Sequence, residues 1–285
     1  MRLAYHCGTH LKSDLKTDVA VTAKAGFSSL EVRGDKLDSY LQESSLKELN
    51  SLFKQYQVIP TAINSIEFIG FRGQEFEKIR QRCRHLCEIA KSINCSTLVV
   101  VPSPTPHTTA TQVFDLHFPW EKVVNEYVSV LQNLSDIAMP YDVNLAFEFV
   151  GASWCSVRTP KGTFEIIKKT NRTNVGLNFD ACHFYAGGGD LDEINLLDPA
   201  KICTFHIDDM EDVPKEDMTD SKRMLPGLGI IPFDEICRRL KKIGYNGLCA
   251  IELFRPEYWD WDPLELAIKA RKASIEVLSP YFDIE

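Results

Sequence analysis

Short apolar runs alternate with amphipathic stretches along the whole chain. The apolar runs read as strands at Arg2–His6, Ser29–Val32, Val58–Ile63, Thr97–Val101, Val143–Glu148, Val175–Asp180, Ile202–Ile207 and Leu248–Glu252. The last four are apolar on both faces, the pattern of parallel strands covered by helices. Between them, helical periodicity predicts helices over Asp14–Ala25, Ser45–Tyr56, Glu75–Ile93, Trp120–Ala138, Gly162–Lys169, Leu191–Leu197, Phe233–Lys242 and Pro263–Leu278. Gly26 stands where a helix C′ glycine would, and Ser44 or Ser45 can cap the second helix. The long third helix is amphipathic through Ile79, Cys83, Leu86, Cys87 and Ala90. Strand followed by helix, repeated to the end, predicts an α/β fold: a single (β/α)8 TIM barrel spanning residues 1–285. A doubly wound open sheet fits less well, because the first strand–helix turn lacks GxGxxG.

The segment PSPTPHTTATQ, residues 102–112, interrupts this alternation. Its closely spaced prolines forbid helix and sheet alike. It follows a barrel strand, which puts it at the mouth, and we expect it to cover substrate.

The chemistry collects at the ends of the last four strands. NLAFE ends in Glu148, NVGLNFD in Asp180, ICTFH in His206 and LCAIE in Glu252. In a (β/α)8 barrel these ends converge on one mouth. Any one of them alone would pass for a polar strand end, but four together would repel and go unsatisfied without a cation. The oxygen and nitrogen donors, with no thiolate, suit Mn²⁺, Zn²⁺, Co²⁺ or Mg²⁺. His183, three residues after Asp180, can reach the same mouth. Arg223, in the Pro/Gly-rich SKRMLPGLG, can grip substrate oxygens as a fixed fork. Asp208 and Asp209 read as anchors of the ligands or of their loop. The FRPEYWDW run can wall the mouth or face a partner subunit. Glu31, Asn64 and Glu67 end early strands and are candidates for substrate recognition.

Composition narrows the picture. The chain has 285 residues, 44% hydrophobic and 25% charged, with net charge -8. That balance shows no basic stripe for nucleic acid. No apolar run nears the ~20 residues a membrane span needs. The chain opens directly on a strand, with no apolar leader. Its nine cysteines form no CxxC. Together these lead us to expect a soluble cytoplasmic protein with reduced thiols, binding neither nucleic acid nor membrane.

The pieces LAFEFVG, NVGLNFDACHF, FHIDDMED, the R-x-x-P-G-x-G loop and AIELFRPEYW resemble the xylose-isomerase-like sugar isomerase/epimerase superfamily. The resemblance covers nearly the whole chain. It implies a divalent-metal enzyme that isomerises or epimerises a keto-polyol or ketose by proton transfer through an enediolate. Its metal ligands fall on Glu148, Asp180, His206 and Glu252. Its substrate-contacting residues fall on His183 and Arg223. Glu148 and Glu252 are implied to flank the substrate and move the proton while also binding metal. A dehydratase would use the same site but expel a hydroxyl. An apurinic-site endonuclease needs a multi-metal cluster and a DNA-binding face, and the third strand ends in NSIE with no histidines. A catalytically inactive sugar-binding protein would leave the charged set unused at a cost. A homodimer is compatible with the aromatic late loop.

Overall fold

Parallel strands β1 (Arg2–His6), β2 (Ser29–Arg33), β3 (Ile59–Ile66), β4 (Thr97–Val100), β5 (Asn144–Glu148), β6 (Val175–Asp180), β7 (Ile202–Ile207) and β8 (Leu248–Ile251) close into a barrel. The structure is a computed structural model that describes residues 1–106 and 118–285, apart from the side chain of Glu216. Each strand pairs with its neighbours in sequence. The ring shuts where β8 pairs with β1, Arg2 opposite Leu248 and Tyr5 opposite Ile251. Because every strand runs the same way, all the strand C-termini share one end.

The helices begin where the sequence provides caps. Asp14 accepts from the N–H of Thr17 to start α1 (Leu15–Lys24), and Gly26 closes that turn at φ +87°. Ser45 and Glu48 form a reciprocal capping box at the start of α3 (Leu46–Tyr56). The outer layer continues with α4 (Phe76–Ser92), α5 (Trp120–Ala138) and α6 (Pro160–Thr170). It ends with α9 (Phe233–Lys242) and α10 (Pro263–Leu278), the latter capped by Asp262 just before its N1 proline.

Three differences from the sequence expectation bear on the site. A helix, α2 (Gly34–Glu43), starts directly from β2, so Glu31 and Arg33 end a strand that turns straight into helix. Strand β3 runs on to Ile66, which brings Asn64 into the barrel wall rather than a loop. The segment after Asp180 is helical, α7 (Ala181–Ala186), with α8 (Leu191–Ile194) shorter than its periodicity suggested. Asp180 is itself the cap of α7, accepting from the N–H of His183 at 2.6 Å.

Strand side chains alternate between two environments. Outward, Phe147, Phe149, Phe179 and Phe205 are fully buried beneath the helices. Phe179 lies at the centre of this layer, its ring centroid 5.6 Å from Phe149, 5.4 Å from Phe184 and 5.8 Å from Phe205. Inward, the barrel axis is filled by small residues, Ala62, Val99 and Ala146, with Val101 and Cys203 against them. Above that plug the inward positions turn polar. An apolar run thus ends in a ligand-type side chain because the final inward position lies beyond the packed layer.

Candidate metal centre and its cavity

Glu148, Asp180, His206 and Glu252 arrive from β5, β6, β7 and the end of β8, all buried. Each offers one donor atom, and the four atoms lie within 4.8 Å of one another. Nδ1 of His206 is 3.2 Å from Glu252 Oε2, 3.5 Å from Glu148 Oε1 and 3.8 Å from Asp180 Oδ2. This is the set expected from the strand ends.

Residues from the first half of the barrel complete the geometry. Glu31 places both carboxylate oxygens 3.1 Å from Nε2 of His206. An Nε2–H donated to Glu31 leaves the Nδ1 lone pair directed at the cluster. That is how a ligating imidazole is commonly oriented. Asn64 donates from Nδ2 to Glu31 Oε1 and to Glu252 Oε1, both at 3.2 Å. Asn178 donates to Glu148 Oε1 at 2.9 Å, while its buried Oδ1 has no partner. His6, fully buried, accepts from the N–H of Gly8 at Nδ1, so its proton sits on Nε2. That nitrogen lies 3.1 Å from Glu252 Oε1 but out of hydrogen-bonding alignment with it.

Arg223 is the one guanidinium fully inside the centre among the described residues. Nη1 donates to Asp180 Oδ2 at 2.8 Å, Glu252 Oε2 at 3.0 Å and Asp208 Oδ2. Nη2 lies 3.2 Å from Nε2 of His183. The loop carrying Arg223 returns to the end of β7 as a short antiparallel pair, Asp209–Met210 with Arg223–Met224. Asp209 then accepts from the N–H groups of Gly227, Gly229 and Ile231. Gly229 packs so closely that an added Cβ would stand 2.2 Å from Met210 O. Asp208 and Asp209 both act as anchors, Asp208 of the Arg223 guanidinium and Asp209 of the loop that carries it.

Burial and these neighbours divide the titrating groups. Burial pushes Glu148 up to about 7, against the pull of His206. Burial also raises Asp180 and Glu252, but cations override it. Arg223 and His183 bring Asp180 below the carboxylate range, and His206, His6 and Arg223 hold Glu252 well below it. Burial would lower His206, yet Glu31 and Glu252 raise it well above the usual imidazole value. Burial lowers His6 to about 4, outweighing Glu252 and Glu31.

A cavity of about 180 Å³ opens beside the cluster. Glu148 and Glu252 form its floor, with His183 and Arg223 beside them. Phe68, Trp154 and Phe254 wall it. The FRPEYWDW run therefore does two things. Phe254 faces the cavity, and Tyr258 props the Arg223 loop by accepting from the N–H of Leu225 at 3.3 Å. Of the predicted covering loop, Ser103 is tied down, its N–H donating to the Tyr127 hydroxyl at 2.7 Å. Residues 107–112 of that loop lie outside the described residues.

The model of the xylose isomerase-like TIM barrel matches residues 19–278. The chain belongs to that family. The inosose isomerase of Bacillus subtilis strain 168 is 36% identical over 287 aligned positions, covering 100% of each chain. That of Bacillus velezensis is 35% identical, covering 99% of both. A crystal structure of the IolI protein with a bound zinc atom superposes with a TM-score of 0.92 at 36% identity, covering 99% of this chain and 100% of that one. A D-tagatose 3-epimerase-like protein shares the fold, with a TM-score of 0.76 at 20% identity. No helix among the described residues is long and apolar enough to cross a membrane.

Proposed function

We propose that this chain is a divalent-metal-dependent isomerase of inososes, moving a carbonyl between neighbouring carbons of a cyclic polyol. The observation that carries the reading is the meeting of Glu148, Asp180, His206 and Glu252 beside a cavity whose floor is Glu148 and Glu252 and which also presents Arg223 and His183. Full-length similarity to inosose isomerases supports the substrate class.

The donor set fits a cation. Three carboxylates and one imidazole, whose free nitrogen is turned inward by Glu31, are an oxygen–nitrogen site of the kind divalent ions occupy. Zinc is the first candidate, given the ion in IolI. When bound, the ion supplies Lewis acidity toward a substrate carbonyl and the hydroxyl beside it. The chain's own residues do the rest. Glu148 and Glu252 enter the floor from non-adjacent strands, β5 and the end of β8, which lets one carboxylate take the proton α to the carbonyl and the other return one to its neighbour. Arg223, already fixed by Asp180 and Asp208, presents donors to substrate oxygen without rearrangement. His183, held against Arg223, is placed to bond a substrate hydroxyl. The aromatic walls exclude water from the transfer.

The test is one incubation of zinc- or manganese-loaded protein with 2-keto-myo-inositol in D₂O, followed by proton NMR and mass spectrometry. A regioisomeric inosose of unchanged mass, apart from any deuterium gained, is expected. Loss of one water would make the chain a dehydratase. No reaction with the inosose, but turnover of a ketose panel, would keep the site chemistry and discard the inositol substrate.

A further inference from the structure

The cavity has a second polar side, away from the four-ligand cluster, on which the proposed reaction makes no demand. Arg33 ends β2 two residues beyond Glu31, roughly 6–7 Å further toward the mouth along the same inward row. Its Nε and Nη2 each donate to Asp35 at 2.9 Å, which fixes the plane of the guanidinium. Its Nη1 has no hydrogen bond among the described residues. Across the same cavity Glu67 follows β3. Its carboxylate also accepts no hydrogen bond among the described residues. The residue is exposed, yet its carboxyl is raised above the ordinary value, desolvation outweighing the opposing pull of Arg33.

Phe254 sets where Arg33 lies. Its ring centroid is 5.3 Å from Arg33 Cζ and 5.9 Å from Arg223 Cζ, so one ring serves both guanidinium groups. The ring also meets His6 edge-on at 5.7 Å. It holds this place at a left-handed backbone, φ +46°. Such conformations are costly for a phenylalanine and persist where the surroundings enforce them. Residue 8 makes room by lacking a side chain, since a Cβ on Gly8 would stand 2.6 Å from the Phe254 ring. Both arginines are therefore positioned by one firmly held aromatic ring.

We propose that Arg33 and Glu67 form a second recognition subsite, which reads two neighbouring hydroxyls on the part of the polyol remote from the reacting carbons. A hydroxyl both donates and accepts, so a vicinal pair can accept from Arg33 Nη1 and donate to Glu67 at once. Hydrogen bonds to charged groups are the stronger kind. The inference rests on the polyol reading above and adds which end of the substrate selects it. Arg33 and Glu67 are binding residues here, and Phe254 is a positioning residue.

The experiment compares wild type, Arg33→Met, Arg33→Lys and Glu67→Gln, all zinc-loaded. The probes are 2-keto-myo-inositol and dihydroxyacetone, a three-carbon hydroxyketone too short to span both sides of the cavity. Calorimetric affinity and steady-state rates are the readouts. Arg33→Met and Glu67→Gln should each weaken the inosose by roughly 10- to 100-fold in Kd and KM, with a much smaller change in kcat. Arg33→Lys should fall between, because it keeps charge and loses the fork. Response to dihydroxyacetone, and zinc content, should match wild type. Unchanged inosose affinity in both variants overturns the subsite while leaving the isomerase reading intact. Equal losses for both probes, or loss of zinc, assign the pair a structural role and also overturn it. A wild type that binds no polyol refutes the isomerase reading and the subsite together.

Discussion

Glu31 grips the imidazole of His206 from behind, both its oxygens 3.1 Å from Nε2, and so aims Nδ1 at three carboxylates that belong to other strands. Orienting partners of this kind are worth about 10–100-fold in metal affinity. Glu31→Gln should weaken zinc binding by that amount in a competitive chelator titration, with far-UV circular dichroism unchanged. Wild-type affinity in this variant would show that His206 does not depend on Glu31.

Glu148 and Glu252 are assigned proton transfer as well as metal binding. Replacing either by Gln should lower kcat by at least ~10²-fold, the ordinary contribution of a positioned acid or base. Metal content measured in parallel separates the two duties. A Glu252→Gln protein that retains its metal and full activity would refute the assignment.

Removal of metal by chelation should abolish turnover and lower thermal stability together. At an ion concentration of 100 times Kd, binding contributes about 2.7 kcal/mol. For a chain of this size that corresponds to several degrees in Tm. Calorimetric scans with and without zinc measure it, and identical scans would mean the cluster holds no ion in solution.

His6 couples stability to acid. It is fully buried and its pKa is lowered from 6.5 to about 4. Between those values the unfolded chain binds a proton that the native chain refuses, so stability rises with pH. The contribution is intact above pH 6.5 and is lost as pH falls toward 4, up to ~3 kcal/mol at about 1.4 per unit. Glu148, raised to about 7, works in the opposite sense: its contribution is present at low pH and lost as pH rises through 7. A single pH profile mixes the two. The difference between metal-free wild type and His6→Asn, by urea unfolding at pH 7 and pH 5, isolates the histidine. The variant should lose less stability on acidification than wild type does.

Phe179 packs outward one residue before Asp180. Phe179→Ala should cost about 3–5 kcal/mol, the usual figure for a buried aromatic. It should also weaken metal binding, because the strand end that presents Asp180 loses its backing. Urea denaturation and the same chelator titration check both, and an unaltered metal affinity would separate the packed layer from the site.

The second half of the barrel was legible because its strands are apolar and each leads into a ligand-type residue at or near its end. Asp180 and His206 would each pass alone for a polar strand end, and it is their recurrence with Glu148 and Glu252 that made the cluster legible. The first half was less so. His6 ends β1, and Glu31 and Asn64 lie two residues inside the ends of β2 and β3, but nothing local tells a residue facing the barrel axis from one facing a loop. The helix over Gly34–Glu43 was missed because it begins with glycine and has no side-chain cap. The contact of Arg223 with Asp180 and Glu252 depends on a loop that folds back, and no periodicity encodes that. Asn178 was hidden inside an apolar run. Only the pairing of β5 with β6, Glu148 opposite Asn178, puts its amide beside Glu148.

The segment between Glu211 and Lys222 leaves and rejoins the barrel through one narrow neck, where Met210 pairs with Arg223 and Asp209 gathers three backbone N–H groups. Whatever is inserted into that detour hangs outside the clamp. Near its far end the detour is pinned again, since Asp220 accepts from Arg223 Nε at 3.1 Å and lines the cavity. The fold thus carries an appendix at the rim of its mouth in which the stretch ahead of the buried Met218 and of Asp220 is open to evolutionary trial without disturbing the chemistry beneath.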